Sequence, residues 1–238
     1  MSRTRVIGIL RKELRDFRRN RYILVTMSII PLVFLIQPLI SVLSLPPAAA
    51  VPLSHRHELL YMLGIPVLVP SVVAASSVVT ERQQGTLEPV LTTPIRREEL
   101  LLAKALAPLL PAIVVSYAVY GIFVAVIELF AHPGVAPALL QGPEVLAQVL
   151  FTPLLALWSI WVGIAISTRV SDVRAAQQLS VLGSLPLIAV TSLIAFDVIH
   201  PTLGLALALG AGLIVIDRLG WRVVSAMFDR ERLITSTR

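Results

Sequence analysis

Six long apolar runs divide this chain, at residues 22–45, 59–79, 105–127, 145–168, 178–196 and about 198–216, with short arginine-rich segments between and around them. A helix needs about 20 apolar residues to cross a hydrocarbon core about 30 Å thick. The first four runs meet that length easily. The last two sit near the minimum and are joined by a tight turn at Asp197, His200 and Pro201. The pattern predicts an all-α polytopic membrane protein with six transmembrane helices, built as a single transmembrane domain over 1–238. A re-entrant pair in place of the last two crossings would leave the tail on the same side, so charge alone does not separate the two. The continuous length of each run favours two full crossings.

Two flanking segments carry helical periodicity of a different kind. Within 1–21, Val6, Ile7, Leu10, Leu14 and Phe17 share one face, while Lys12, Arg15 and Arg19 point away. This predicts an interfacial amphipathic helix leading into the spans of 22–216, either a lipid anchor or a lever for a partner. The tail, 217–238, repeats the theme with Val223, Val224, Met227 and Phe228 against Arg222, Arg230 and Arg232. Prolines fall inside the runs at 31, 38, 66, 70, 108, 111, 153 and 186, where each can kink a helix. Ala206 with Gly210, and Ala208 with Gly212, offer a small-residue face for close helix approach.

Charge orients the bundle. Of 20 Lys and Arg, 19 lie on one side of the runs and only Arg56 on the other. With the carboxylates counted, one face carries +9 and the other −3. Basic loops stay in the cytoplasm, so six crossings put both termini there. The composition, 56% hydrophobic and 14% charged, excludes an ordinary water-soluble domain. The basic surplus flanks spans, which fits anionic membrane lipids and not nucleic acid. Without cysteine there is neither disulfide nor thiolate chemistry. No cleavable signal peptide is expected ahead of the first run.

The search for catalysis returns little. His57-Glu58-Leu59-Leu60-Tyr61 lacks the second histidine of a zinc-protease helix. There is no nucleophile elbow and no P-loop, so the chain has no such route to ATP. All four histidines, at 55, 57, 132 and 200, fall on the outer side, and no metal site is expected. Glu128 is the one candidate for a charge inside the membrane, and it sits at an outer helix end. An ion-driven carrier normally needs more, so the energy for transport is expected from a separate subunit. Scattered polar side chains in the spans (Ser71, Ser76, Ser77, Thr152, Ser159, Gln178, Ser180, Ser184, Thr191) fit a lipophilic cargo or ordinary packing equally.

The loop over 80–104 carries the most information. Gly85 allows a sharp reversal below the membrane, and Leu87, Val90 and Leu91 make an apolar knob flanked by Glu81 and Glu88. Thr93-Pro94 is a good start for the next helix. Such an element, held by two spans, suits docking into a groove of another protein.

This loop resembles the signature of the ABC type-2 permeases, the membrane subunits of ATP-binding-cassette exporters. The likeness runs from Glu81-Arg82 through Gly85-Thr86-Leu87-Glu88, Leu91 and Pro94 to Lys104, with Ala103 where the family often has glycine. Lys12-Glu13-Leu14 with Asp16 and Arg19, and the tail from Trp221 to Leu233, are similar to the family's ends. The resemblance implies a transport subunit and not an enzyme in itself. It implies ATPase coupling through Glu81, Arg82, Gly85, Thr86, Leu87, Glu88 and Pro94, aided by the interfacial helix with Leu10, Lys12, Glu13, Leu14 and Phe17. It also implies two cytoplasmic ABC ATPase subunits holding ATP and Mg, with no cofactor on this chain. A second permease copy or paralogue and membrane lipids complete the partners, in a plasma membrane, the inner membrane of a prokaryote. The join between the last two runs is too short for the pair of re-entrant half-helices that many members have. A secondary transporter, a membrane-embedded enzyme and an assembly subunit are the alternatives.

Overall fold

The computed structural model describes residues 3–44, 58–85, 96–132, 137, 139–140 and 142–227, and among these every regular element is a helix. In chain order they are α1 (Arg3–Arg19), α2 (Arg21–Leu43), α3 (Glu58–Tyr61), α4 (Gly64–Gln83), α5 (Arg97–Phe130), α6 (Gly142–Ser167), α7 (Val173–Ala195) and α8 (Leu203–Met227). Six are long and apolar enough to cross a membrane, α3 running on into the α4 crossing. The six-span expectation therefore holds. The last two runs are separate helices of 23 and 25 residues. Between them Asp197 takes a positive φ of 58° and accepts a 2.7 Å contact from His200 Nδ1.

Helix ends differ from those of the hydropathy pattern. α5 starts at Arg97 and includes Glu98, Glu99 and Lys104. α7 starts at Val173, capped by Asp172 Oδ2 accepting from the Ala175 amide at 2.8 Å. α8 starts at Leu203 instead of 198 and runs on through Asp217 and Arg218 to Met227. Hydropathy stops at a charge, whereas helical hydrogen bonding does not. At 1.5 Å per residue, the 34 residues of α5 extend about 51 Å, well past the apolar layer.

The bundle is built around α4. Of its span, 94% is buried, against 6% for that of α8. Small residues explain how one helix can be enclosed on all sides: Ser71, Ala74, Ala75, Ser76 and Ser77 let neighbours approach closely. Backbone meets backbone on the α6 side, where a Cβ on Gly163 would sit 2.9 Å from both Ala74 Cβ and the Ser71 carbonyl. The outer faces of α2 and α8 present Ile29, Val33, Ile36, Leu207, Val215 and Val223, as lipid-facing surfaces do.

The hydroxyls whose role the sequence leaves open are mostly absorbed by their own helices. Ser76, Ser77, Thr152, Ser159 and Ser184 each donate to a carbonyl three or four residues back. Ser180 instead donates across to the Ser71 carbonyl of α4 at 3.1 Å. The expected small-residue face of α8 is displaced as well. Its close contact is Gly220, where a Cβ would lie 2.7 Å from the Trp161 ring, while Gly212 meets open space.

Candidate functional site

The end of the bundle that carries α1, the α4–α5 connection and the α6–α7 turn holds the basic segments, and is called here the basic end. α1 lies against it. Phe17 of α1 packs with Ile23 of α2, Val73 of α4 and Ala107 of α5, with Leu10 and Leu14 beside them. The apolar face of the N-terminal helix thus covers protein, although Ile7 remains exposed.

That apolar face carries one carboxylate. Glu13 falls between Leu10 and Phe17 on the helix and is buried, as Phe17 is. It faces Lys104 of α5, whose side chain has no exposed surface at all. Lys104 Nζ stands 2.7 Å from Glu81 Oε2, 3.2 Å from Glu13 Oε1 and 3.3 Å from the Ser77 carbonyl. Lys12 closes the group from the solvent side, with its amine 2.7 Å from Glu81 Oε1, 3.6 Å from Asp16 and 3.7 Å from Glu13. The pattern predicted that Lys12 points away from the bundle. Its backbone does, but its long stem folds back so that the amine meets Glu81. Burial works against the charge of Lys12. The hydrogen bond to Glu81 and the charges of Glu13, Glu81 and Asp16 outweigh that and hold the amine above its ordinary value.

These are the only two lysines in the chain. Both are committed to one cluster that ties α1, α4 and α5 together. A lone buried charge costs several kcal/mol, and here each finds opposite charge at contact distance. Glu81 Oε1 and Oε2 are divided between the two lysines, so this carboxylate is the hinge of the group. A polar cleft of about 530 Å³ opens beside it, reached by Arg19, Asn20, Arg21, Thr80 and Gln84.

The neighbouring residues fasten the same corner. Arg82 Nη2 donates to the Thr168 carbonyl at 3.0 Å, and Gln83 Nε2 to that of Ser171 at 2.9 Å. Ser167 Oγ accepts from the amides of Val78 and Val79. The foot of α4 is thereby locked to the α6–α7 turn on one side and to α1 and α5 on the other. Gly85 then turns with φ +66°, the left-handed conformation expected of that glycine. On the far side of the connection Arg96 is extended, and its amide donates to Glu99 Oε2 at 3.3 Å. Arg5 of α1 pairs with the same Glu99 at 3.8 Å.

Of the residues expected in the coupling loop, Glu81, Arg82 and Gly85 are therefore placed, whereas Thr86, Leu87, Glu88, Leu91 and Pro94 lie outside the described residues. Val90 of the apolar knob also lies outside the described residues, while the Glu81 side chain is buried and turned into the bundle. Leu10, Lys12, Glu13, Leu14 and Phe17 all belong to the α1 contact. Lys104 was seen in sequence only as a point of family likeness, and its role as the centre of a cluster was missed. Two signals were readable: a carboxylate on the apolar face of α1, and a lysine seven residues inside a helix.

The charge inside the spans is also distributed differently from the expectation. Glu128 is exposed at the end of α5. Glu144 and Asp217, counted by sequence as outside the apolar layer, are buried within the spans of α6 and α8. No cluster of histidine and carboxylate side chains able to hold a metal is present among the described residues.

Among curated proteins none matches this chain. The family model described as ABC-2 family transporter protein matches residues 7–214, from within α1 to within α8, so it takes in every element of the cluster. With six spans and a match over most of its length, the chain belongs to the ABC-2 transporter family and is a multi-pass permease subunit of an ABC transporter.

Proposed function

We propose that this permease forms the pathway of an ATP-driven exporter of a small or lipophilic substrate, powered by two separate ATPase subunits that hold ATP and Mg. The basic end faces the cytoplasm of a prokaryotic cell, and a second permease, a copy or a paralogue, completes the pathway in the plasma membrane. The +9 charge of that end supports the orientation.

One observation carries the coupling part of this reading: the Lys104 node joins α1, α4 and α5 where the chain turns out at Gly85. A partner that moves the 86–95 segment pulls on the foot of α4, and the node transmits that displacement to α1 and α5. The segment that touches the ATPase is then Thr86–Leu87–Glu88 with Pro94, and Glu81 relays. The energy stays on the partner, and this chain supplies a stiff linkage to a central helix.

The test separates the two roles. Glu88→Lys should release the ATPase during co-purification. Glu81→Gln should retain the ATPase but lose substrate-dependent ATP turnover in the reconstituted complex. If Glu81→Gln leaves coupled transport intact, the relay is wrong. If Glu88→Lys leaves the complex intact, the docking assignment is wrong.

A further inference from the structure

Of the three tryptophans of the chain, Trp158 and Trp161 lie one turn apart on α6 and Trp221 lies on α8. Trp161 and Trp221 meet edge to face with ring centroids 5.7 Å apart. The two helices run parallel, and their register is fixed by three contacts: Gly210 with Phe151, Gly220 with Trp161, and Met227 Sδ with Thr168 Oγ1. Each pair differs by 59 positions, which sets Asp217 level with Trp158.

Asp217 is buried on the α6-facing side of α8, with 9% of its surface exposed. Both its carboxylate oxygens lack a hydrogen-bond partner among the described residues, as do the indole nitrogens of Trp158 and Trp161. Arg218 and Arg222 are exposed, and among the described residues neither pairs with it. An unpaired carboxylate at such a depth is expensive and marks function more often than packing.

Immediately beyond it lies an apolar cavity of about 220 Å³ that runs away from the basic end along α6 and α8. Leu155, Leu213 and Ile216 line its near end, and Phe151, Leu205 and Leu209 its length. The next residues toward the basic end are Trp158 and Asp217. A carboxylate at the level of Trp158 and within a turn of Trp161 and Trp221 is the chemistry that recognises an organic ammonium, through charge and through the negative ring faces. An apolar slot leading away from it takes a hydrocarbon tail.

We propose that this locus is a binding site for a single-chain amphiphile with an alkylated ammonium head, the head against Asp217 and the tryptophans, the tail in the cavity between α6 and α8. The class covers a cationic cargo and the headgroup of a zwitterionic lipid. The inference builds on the permease reading by naming a substrate class, but its assay requires no ATPase. Failure here therefore leaves the co-purification result untouched.

Because that register puts all three tryptophans within about one turn of Asp217, intrinsic fluorescence reports on the site. The full chain in nanodiscs of phosphatidylglycerol, which has no ammonium group, is titrated with decyltrimethylammonium and with decyl maltoside as the uncharged control. A saturable emission change is expected with the first only. Asp217→Asn should weaken it by about tenfold or more, and Asp217→Glu should restore part of it. Ala206→Leu, which narrows the cavity and leaves the carboxylate in place, should weaken it as well. Repeating the titration in phosphatidylcholine nanodiscs assigns the source: competition there identifies a lipid headgroup, and none identifies a free amphiphile. Equal titrations for wild type and Asp217→Asn, or equal responses to the charged and uncharged probes, overturn the site.

Discussion

Lys104 of α5 and Glu81 of α4 meet at 2.7 Å with the lysine fully buried, so the third membrane crossing is pinned by charge to the foot of the central one. Glu13 of α1 joins the same amine at 3.2 Å, which brings the N-terminal helix under the same constraint. A low-dielectric contact of this kind tolerates little slack, because separating the charges leaves each without solvent. Displacement of one element therefore moves all three, whereas an apolar contact would let them slide.

Removing the amine should be costly. Lys104→Ala strands Glu81 and Glu13 in a buried site, with an expected loss of about 3–5 kcal/mol. Lys104→Met with Glu81→Gln and Glu13→Gln removes every charge at that amine, and should recover a substantial part of the loss through non-additive coupling. Thermal unfolding of the purified chain in one detergent reads this directly. A triple variant no more stable than the single one would show that the cluster is not a coupled unit.

The two lysines also permit a chemical readout. Lys12 is held above its ordinary value of 10.5 by Glu81, Glu13 and Asp16 against the effect of burial, so less of its amine is free at mildly alkaline pH. The sign follows: the contact stabilises α1 fully below the unfolded value and is lost only as pH rises through the raised one. Acylation at pH 8.5, followed by mass spectrometry, should therefore modify Lys12 slowly and Lys104 hardly at all. Glu81→Gln should speed modification of Lys12 several-fold. Unchanged rates would place the Lys12 amine in solvent.

Much of this was legible in the sequence and part was not. Six crossings follow from run length, and a reversal at Gly85 follows from the freedom of glycine, which the structure uses at φ +66°. The start of α7 at Val173 precedes its apolar run, since hydropathy reads the solvent preference of side chains and not backbone hydrogen bonding, and α5 begins at Arg97, after an extended Arg96, and not at Thr93-Pro94. The same limitation put Glu81 in solvent and Asp217 in the tail. A charge next to an apolar run can lie in water or fold onto an opposite charge from a distant segment, and only tertiary structure pairs Glu13 with a residue 91 positions away.

Packing around α4 yields a sharp contrast between glycines. Gly163→Ala would push a methyl to within 2.9 Å of Ala74 Cβ and of the Ser71 carbonyl, and backbone cannot yield as a side-chain tip can. The expected loss is about 1–3 kcal/mol. Gly121→Ala, in the middle of α5 where a Cβ meets open space, should instead be neutral or gain about 0.5–1 kcal/mol from helix propensity. Paired thermal midpoints for the two variants decide the matter. Equal shifts would mean that α6 does not approach α4 so closely.

Orientation can be tested on the unmodified background, because the chain has no cysteine. Arg169 is exposed in the α6–α7 turn at the basic end, and Thr202 is exposed in the α7–α8 turn at the opposite end. With the basic end in the cytoplasm, a membrane-impermeant maleimide on intact cells should label Thr202→Cys and leave Arg169→Cys unmodified until the cells are opened. Arg169→Cys lies in a turn, and Thr202→Cys gives up only the α8 cap in which Thr202 Oγ1 accepts from the Leu205 amide at 3.2 Å, a cost of about 1 kcal/mol. Labelling of Arg169→Cys in intact cells would invert the topology. It would also remove the 86–95 segment from the reach of any ATPase in the cytoplasm, and the coupling proposal would fall with it.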